Sequence, residues 1–143
     1  MSTPVVLMAE DNEWDARVTQ EALEAAGLPL QVDHVGDGEA ALAYLEERLA
    51  SGAPLPVLML LDLNLPRKDG REVLRELKAD ARLRRIPVIV LTTSMAPADI
   101  HKAYDLHANA YLHKPMDPDD YGPIVKAIRE FWLDRTVRPD KGG

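Results

Sequence analysis

The chain of 143 residues contains no cysteine, which excludes disulfide bonds, thiol catalysis and zinc sites built from cysteine. Its apolar runs, such as "VLMLL" at residues 57–61, are far shorter than the roughly 20 residues that cross a bilayer. The N-terminus also lacks the basic region and long apolar segment of a secretory signal peptide. We therefore expect a cytoplasmic protein without a membrane segment.

Positive charge is scarce as well, because 17 lysines and arginines face 24 aspartates and glutamates, a net charge of −7. Nucleic-acid binding needs a basic surface, so this balance disfavours nucleic acid as the main partner. The short basic cluster "RLRR" at residues 82–85 follows Asp80 and is typical of a solvated loop. The length and the apolar fraction of 46% fit one globular domain of ordinary size.

Apolar runs alternate with amphipathic stretches along the chain. This pattern predicts strands at residues 5–9, 30–35, 56–62, 86–93 and 109–113, and helices at residues 12–27, 37–52, 70–80, 97–107 and 118–137. Three of the strands are apolar throughout and need cover on both faces. The sequence therefore predicts a doubly wound α/β domain of the flavodoxin-like (βα)5 type, with a central five-stranded parallel sheet.

Polar side chains follow four of the predicted strands. They are Glu10 and Asp11 after the first strand, Asp62 after the third, Thr92 after the fourth and Lys114 after the fifth. Because the carboxyl ends of parallel strands meet at one edge of the sheet, we expect these side chains to converge. Three carboxylates in one cleft repel each other, and a divalent cation relieves that repulsion. A few oxygen ligands with room for water favour Mg²⁺ over zinc.

Magnesium sites of this kind usually serve phosphate chemistry. Lys114 could neutralise phosphate oxygens, Thr92 could donate a hydrogen bond to one of them, and Asp62 could be the nucleophile. Each acid also has a purely structural interpretation, since Glu10 and Asp11 could cap a helix and Asp62 could cap a turn. The joint placement of all of them favours the functional site.

Four motifs carry a resemblance to a known family. "AEDN", "LLDLNLPRKDG", "VLTTS" and "YLHKP", in this order, resemble the receiver domain of bacterial two-component response regulators over residues 5–133. The resemblance implies that Asp62 is the phosphoacceptor. It implies that Asp11, with Glu10 assisting, holds Mg²⁺ together with Asp62 and the backbone carbonyl of Asn64.

The resemblance also implies a switch at the fourth and fifth strands. Thr92 is then the switch hydroxyl, Lys114 the phosphate-binding lysine, and Tyr111 the aromatic side chain that moves inward when Thr92 swings toward the phosphoryl group. The Lys114–Pro115 bond is expected to be cis, as the family has it at this strand-to-helix turn.

"LLDLNLPRKDGREVL" and "REFWL" resemble single-domain regulators that are paired with phytochrome-type histidine kinases. The expected partner is therefore a light-sensing kinase. Glu10 stands where the family more often has aspartate, and its longer arm favours a water-mediated contact with the metal. Asn12 and Thr93 flank the site where the family varies, and we expect them to tune the lifetime of the phosphoryl group.

The last predicted helix has a wide apolar face formed by Ile124, Val125, Ile128, Phe131 and Trp132. Burial of this face beneath the helix is one interpretation. The other is a homodimer through Ile124, Ile128, Phe131 and Trp132, since aromatic residues are enriched in interface cores. The sequence leaves both open.

The favoured function is a phosphorylation-controlled switch rather than an enzyme acting on other substrates. We expect residues 1–135 to form the receiver domain and residues 136–143 a flexible tail, with no output domain. The output is then protein contact, phosphate relay or a phosphate sink. A phosphohydrolase with an aspartate nucleophile is the rival, but it resembles "DxD" at the nucleophile, where this chain has Asn64. A phosphorylation-independent scaffold predicts the loss of a site residue, and none is lost.

Overall fold

The structure, a computed structural model, describes residues 3–131. Within this range five strands and five α-helices alternate along the chain. The strands are β1 (Val5–Ala9), β2 (Gln31–Val35), β3 (Leu58–Leu61), β4 (Val88–Thr92) and β5 (Ala110–His113). The helices are α1 (Glu13–Ala25), α2 (Gly38–Ser51), α3 (Gly70–Ala79), α4 (Pro97–Asp105) and α5 (Gly122–Arg129). None of these helices has the length and apolarity that a membrane crossing requires.

The strands form one parallel sheet in the order β2-β1-β3-β4-β5. This order confirms the predicted doubly wound, flavodoxin-like fold. Ligands of such folds bind where the strand order reverses, between β1 and β3. Ala9 pairs with Leu61 in the sheet register, so the residues that follow them, Glu10 and Asp62, leave the sheet side by side.

The apolar strands are buried on both faces because helices cover both sides of the sheet. Successive residues of β1 belong to two separate core clusters, with Leu7 in one and Met8 in the other. The first cluster includes residues of α2, α3 and α4, and the second includes residues of α1 and α5. This packing explains why β1, β3 and β4 show continuous hydrophobic runs rather than alternation.

Capping residues fix where the helices begin near the site. Asn12 precedes α1, and its side chain accepts a hydrogen bond of 2.9 Å from the backbone N–H of Asp15. Asp37 caps α2 in the same way through Ala40, as predicted, and Gly52 ends that helix in the left-handed conformation. Helix α1 therefore starts directly after the acidic pair that follows β1.

The start of the last helix differs from the prediction. Residues Pro118–Asp120 form a short 3-10 turn, and α5 begins only at Gly122. An α-helix that ran on from residue 118 would place Pro123, which has no N–H, where a backbone donor is needed, whereas the first turn of α5 tolerates it. Trp132 and the predicted tail at residues 136–143 lie outside the described residues.

Candidate functional site

Three carboxylates converge at the ends of β1 and β3. Glu10, Asp11 and Asp62 each offer an oxygen, and these oxygens lie within 4.8 Å of one another. Glu10 and Asp62 are only 4% and 6% exposed, whereas Asp11 is exposed. Carboxylates this close repel each other unless a cation lies between them or one of them is protonated. The oxygen donor set fits a hard divalent cation such as Mg²⁺.

Lys114 reaches the same cluster from the end of β5. Its Nζ lies 2.6 Å from Glu10 Oε1 and 3.0 Å from Asp62 Oδ2. The backbone N–H of Lys114 donates to the carbonyl of Thr92 at 2.7 Å, which extends the pairing of β4 and β5 by one residue. The buried lysine is thus compensated by carboxylates, as a buried charge must be. The predicted convergence of Glu10, Asp11, Asp62 and Lys114 is present in the structure.

The electrostatics of the cluster favour a charged lysine beside a carboxyl group that ionises reluctantly. Burial raises the pKa of Glu10, and the hydrogen bond from Lys114 only partly opposes that effect. Burial alone would lower the pKa of Lys114, but hydrogen bonds to Glu10 and Asp62 outweigh it and hold that pKa well above its ordinary value. Lys114 therefore stays an ammonium group at neutral pH.

The backbone around Asp62 holds its side chain at the mouth of the cleft. The N–H of Asn64 donates to Asp62 Oδ1 at 3.1 Å, and Lys114 contacts the other oxygen. Gly70 lies against this turn, and its N–H donates to the carbonyl of Leu63 at 2.9 Å. A β-carbon at Gly70 would lie 2.2 Å from the backbone oxygen of Asp62, so the turn requires glycine. The metal-ligand role of the Asn64 carbonyl stays a prediction.

Thr92 and Tyr111, the predicted switch pair, meet at one loop. Thr92 is fully buried at the end of β4, and its Oγ1 lies 3.4 Å from the N–H of Ser94. The hydroxyl of the partly buried Tyr111 donates to the carbonyl of Ser94 at 2.7 Å. Both side chains therefore contact the backbone of Ser94, while their movement on phosphorylation stays a prediction.

The prediction of a cis Lys114–Pro115 bond is wrong. No peptide bond in residues 3–131 is cis. The trans isomer before proline is favoured by about 0.5–1 kcal/mol, and only tertiary packing can reverse that preference.

The prediction that Ile124 and Ile128 form a dimer surface is also wrong. Both side chains are buried within the single chain, in the core cluster beneath α5. Phe131 packs against the same cluster and is partly buried, and Trp132 lies outside the described residues. The apolar face of α5 thus serves mainly to cover the sheet, which was the alternative interpretation.

Sequence reasoning missed Asp15 as a site residue. Its Oδ2 lies 3.2 Å from Lys114 Nζ, so it is a third carboxylate around the lysine. Asp15 lies in the first turn of α1, directly after the acidic pair that follows β1. That nearness to the acidic pair was the available signal, but it does not show that β5 brings Lys114 alongside.

A second polar network missed by the sequence lies beside the switch loop. Ser94 Oγ donates to Asp99 Oδ2 at 2.5 Å, and Arg71 binds the other oxygen of Asp99 at 2.7 Å. Arg71 also pairs with Asp69, the capping residue of α3, at 3.0 Å. These contacts tie the loop after β4 to the first turns of α3 and α4.

Comparisons with known proteins give consistent results on the family and the fold. The family described as "Response regulator receiver domain" matches residues 6–128. Response regulator Rcp1 of Synechocystis sp. is 43% identical over 136 residues, which are 94% of this chain and 92% of that protein. The phosphorylated cyanobacterial phytochrome response regulator RcpA superposes with a TM-score of 0.86 at 47% identity and covers 96% of this chain and 99% of its own. The Mn²⁺-bound form of Rcp1 superposes with a TM-score of 0.83 at 43% identity, and the match covers 95% of this chain and 99% of that chain.

Proposed function

The chain belongs to the response regulator receiver domain family, and from that premise we propose that Asp62 accepts a phosphoryl group from a histidine kinase. One observation carries the proposal most directly. The Asp62 carboxylate belongs to an acidic cluster suited to a divalent cation, and it also lies 3.0 Å from the Nζ of Lys114. Phosphoryl transfer to a carboxylate needs positive charge beside the nucleophile, which the cation and the lysine would supply.

Magnesium is the proposed cofactor. Glu10, Asp11 and Asp62, with the backbone carbonyl of Asn64, would hold it, and it would neutralise charge on the phosphoryl oxygens. A relative that is 43% identical has been solved with Mn²⁺ bound, which supports a divalent cation here. Both Glu10 oxygens already have protein donors, Lys114 Nζ and the N–H of Asn12 at 3.1 Å. We therefore expect Glu10 to contact the cation through water.

The chemistry of the chain's own residues follows from their positions. An oxygen of Asp62 attacks the phosphorus in line, forming a P–O bond while the P–N bond of the donor phosphohistidine breaks. Lys114 remains protonated throughout and binds an oxygen of the transferred group. Hydrolysis of the resulting acyl phosphate by water then resets the protein, so the chain acts on itself rather than on a metabolite.

The switch is proposed to pass from Asp62 to the loop after β4. The acyl phosphate adds about −1.5 to −2 charge, and the hydroxyl of Thr92 becomes a donor to the new oxygens. Tyr111 contacts the carbonyl of Ser94, so a movement of this loop draws the tyrosine with it. The surface of α4 and β5 would change in consequence.

The proposed kinase is of the phytochrome type, and the protein is proposed to act in the cytoplasm. The support is the 47% identity to RcpA, which is a cyanobacterial phytochrome response regulator. We also propose that the receiver domain spans residues 1–135, which the family match to residues 6–128 supports. The proposed output is a protein contact, a phosphate relay or a phosphate sink.

Incubation with a small phosphoramidate and Mg²⁺, followed by intact-protein mass measurement, tests the function. The parent should gain one phosphoryl group, and Asp62→Asn should gain none. Asp105→Asn is the matched control, because Asp105 is an exposed acid at the end of α4. Equal labelling of Asp62→Asn and Asp105→Asn would contradict the assignment.

A homodimer through the α5 region is a separate proposal. Its interface would need the outer side of α5, where Val125 and Ala127 remain partly exposed, because Ile124 and Ile128 are buried in the core. Sedimentation at micromolar concentration tests it with and without phosphorylation. A species at the chain mass of 15.9 kDa under both conditions would exclude the dimer.

A further inference from the structure

We propose that Asp15 is a positioning residue that holds Lys114 in place while the cation and the phosphoryl group engage the other acids. The inference rests on the proposed phosphoryl transfer to Asp62 and adds a residue to that site. Three carboxylates contact Lys114, and those of Glu10 and Asp62 also belong to the acidic cluster, whereas that of Asp15 does not.

Lys114 has three N–H donors on its ammonium group, and three carboxylates surround it. Glu10 lies 2.6 Å away, Asp62 3.0 Å and Asp15 3.2 Å. Glu10 and Asp62 are members of the cluster suited to a cation. Once a cation is bound, these two carboxylates are shared between the cation and the lysine. Asp62 also changes chemically once it carries a phosphoryl group. Asp15 alone remains a dedicated partner of the lysine.

A dedicated partner matters because lysine is a flexible side chain with four methylenes. Without an anchor its ammonium group samples many positions, and each transfer event must first restrict it. Holding a catalytic group near its working position before the reaction lowers the barrier. Asp15 approaches Lys114 from the first turn of α1, so the ammonium has an anchor on an element other than the strands.

The position of Asp15 is itself well fixed. Its N–H donates to the side chain of Asn12 at 2.9 Å, and its carbonyl accepts from the Thr19 hydroxyl at 2.8 Å. Its carboxylate lies in the first turn of α1, where the helix dipole stabilises negative charge. The side chain is 29% exposed, so its charge is not costly to maintain.

The first test compares Asp15→Asn with Glu13→Gln under saturating phosphoramidate and Mg²⁺. Glu13 is an exposed acid in the same helix turn, so both variants remove one charge from the same helix end. Asp15→Asn should label about tenfold more slowly than Glu13→Gln, the equivalent of roughly 1.4 kcal/mol in the barrier. Asp15→Glu, which retains a carboxylate, should recover most of the rate. Equal rates for Asp15→Asn and Glu13→Gln would overturn the inference.

A double-variant cycle separates action through Lys114 from a general disturbance. If Asp15 acts only through the lysine, adding Asp15→Asn to Lys114→Ala should cause no further loss of labelling. A further loss of similar size would show that Asp15 acts on something else. Urea unfolding of each variant verifies that all are folded during the assay.

The closing experiment does not depend on phosphoryl transfer. With Mg²⁺ alone present, an amine-reactive reagent should modify Lys114 faster in Asp15→Asn than in Glu13→Gln, because the freed ammonium group is more often exposed. Peptide mass measurement quantifies the modification. Equal modification would refute the positioning role even if Asp62 is phosphorylated. If Lys114 is modified faster in Asp15→Asn but the parent protein never accepts phosphate, the positioning contact is supported and the proposed function is refuted.

Discussion

Replacing Gly70 with alanine should both destabilise the fold and slow the phosphorylation of Asp62. A β-carbon at Gly70 would lie 2.2 Å from the backbone oxygen of Asp62 and 2.7 Å from the Cα of Leu63. Both are backbone atoms, so no side-chain rotation can relieve the contact, and the turn after β3 must move. Ordinary van der Waals contacts of a β-carbon begin at 3.4 Å, so we expect a displacement on the order of 1 Å.

The magnitudes follow from two opposing effects. Overpacking of this kind costs about 1–3 kcal/mol, and the gain in helix propensity at the start of α3 returns less than about 1 kcal/mol. We therefore expect the free energy of unfolding to fall by about 1–2 kcal/mol. A displacement of about 1 Å in a reacting group can cost about a hundredfold in rate, so labelling of the folded variant should slow by between tenfold and a hundredfold, roughly.

Gly122→Ala is the matched control for this prediction. Gly122 begins α5, and a β-carbon there meets nothing within 4 Å. Its variant should be as stable as the parent and label at the parental rate. Urea unfolding and phosphoramidate labelling measure both properties. A Gly70→Ala protein that matches Gly122→Ala in stability and in rate would refute the argument that the turn needs glycine.

Three other predictions concern the cation, a hydrogen bond to a carboxylate and the core. Mg²⁺ at about one hundred times its dissociation constant should stabilise the fold by about 2.7 kcal/mol, as measured by urea unfolding. Asp11→Asn should remove that gain in stability. An unchanged gain in Asp11→Asn would exclude Asp11 as a ligand. Burial opposes ionisation of Asp33, but hydrogen bonds from Tyr44 and Gln31 lower its pKa below the ordinary 3.8. The stability that the ionised carboxylate adds to the fold is therefore present above pH 3.8 and is lost as the pH falls through the lowered pKa. Tyr44→Phe should therefore cost about 1 kcal/mol at pH 7 and less at pH 3, and an equal cost at both would contradict this. Ile128→Ala should lower the free energy of unfolding by about 2–5 kcal/mol at every protein concentration. A reduction that depends on protein concentration would indicate that this side chain supports a dimer.

The convergence of the site was predictable because parallel strands impose it. Once β1, β3 and β5 are identified from their sequence patterns, the residues after them must share an edge. The pairing of Ala9 with Leu61 then places Glu10 beside Asp62. Residue chemistry at strand ends was therefore enough to predict the acids and the lysine.

Other features could not be predicted, since tertiary packing decides them. Asp15 and Lys114 are 99 positions apart, and their contact depends on how α1 lies against the end of β5. The apolar face of α5 has the same pattern whether it covers a sheet or a partner, so the burial of Ile128 had to be observed. The isomer of the Lys114–Pro115 bond likewise depends on the surroundings of the turn rather than on the dipeptide.

The central claim is that the phosphoryl group resides on Asp62 as an acyl phosphate. Treating the labelled protein with borohydride reduces an acyl phosphate to an alcohol and releases phosphate, which marks the modified side chain permanently. Peptide mass measurement should then find the reduced side chain at Asp62, only after exposure to the phosphoryl donor with Mg²⁺. Reduction at another carboxylate, such as Asp11, or labelling that survives borohydride unchanged, would contradict the account.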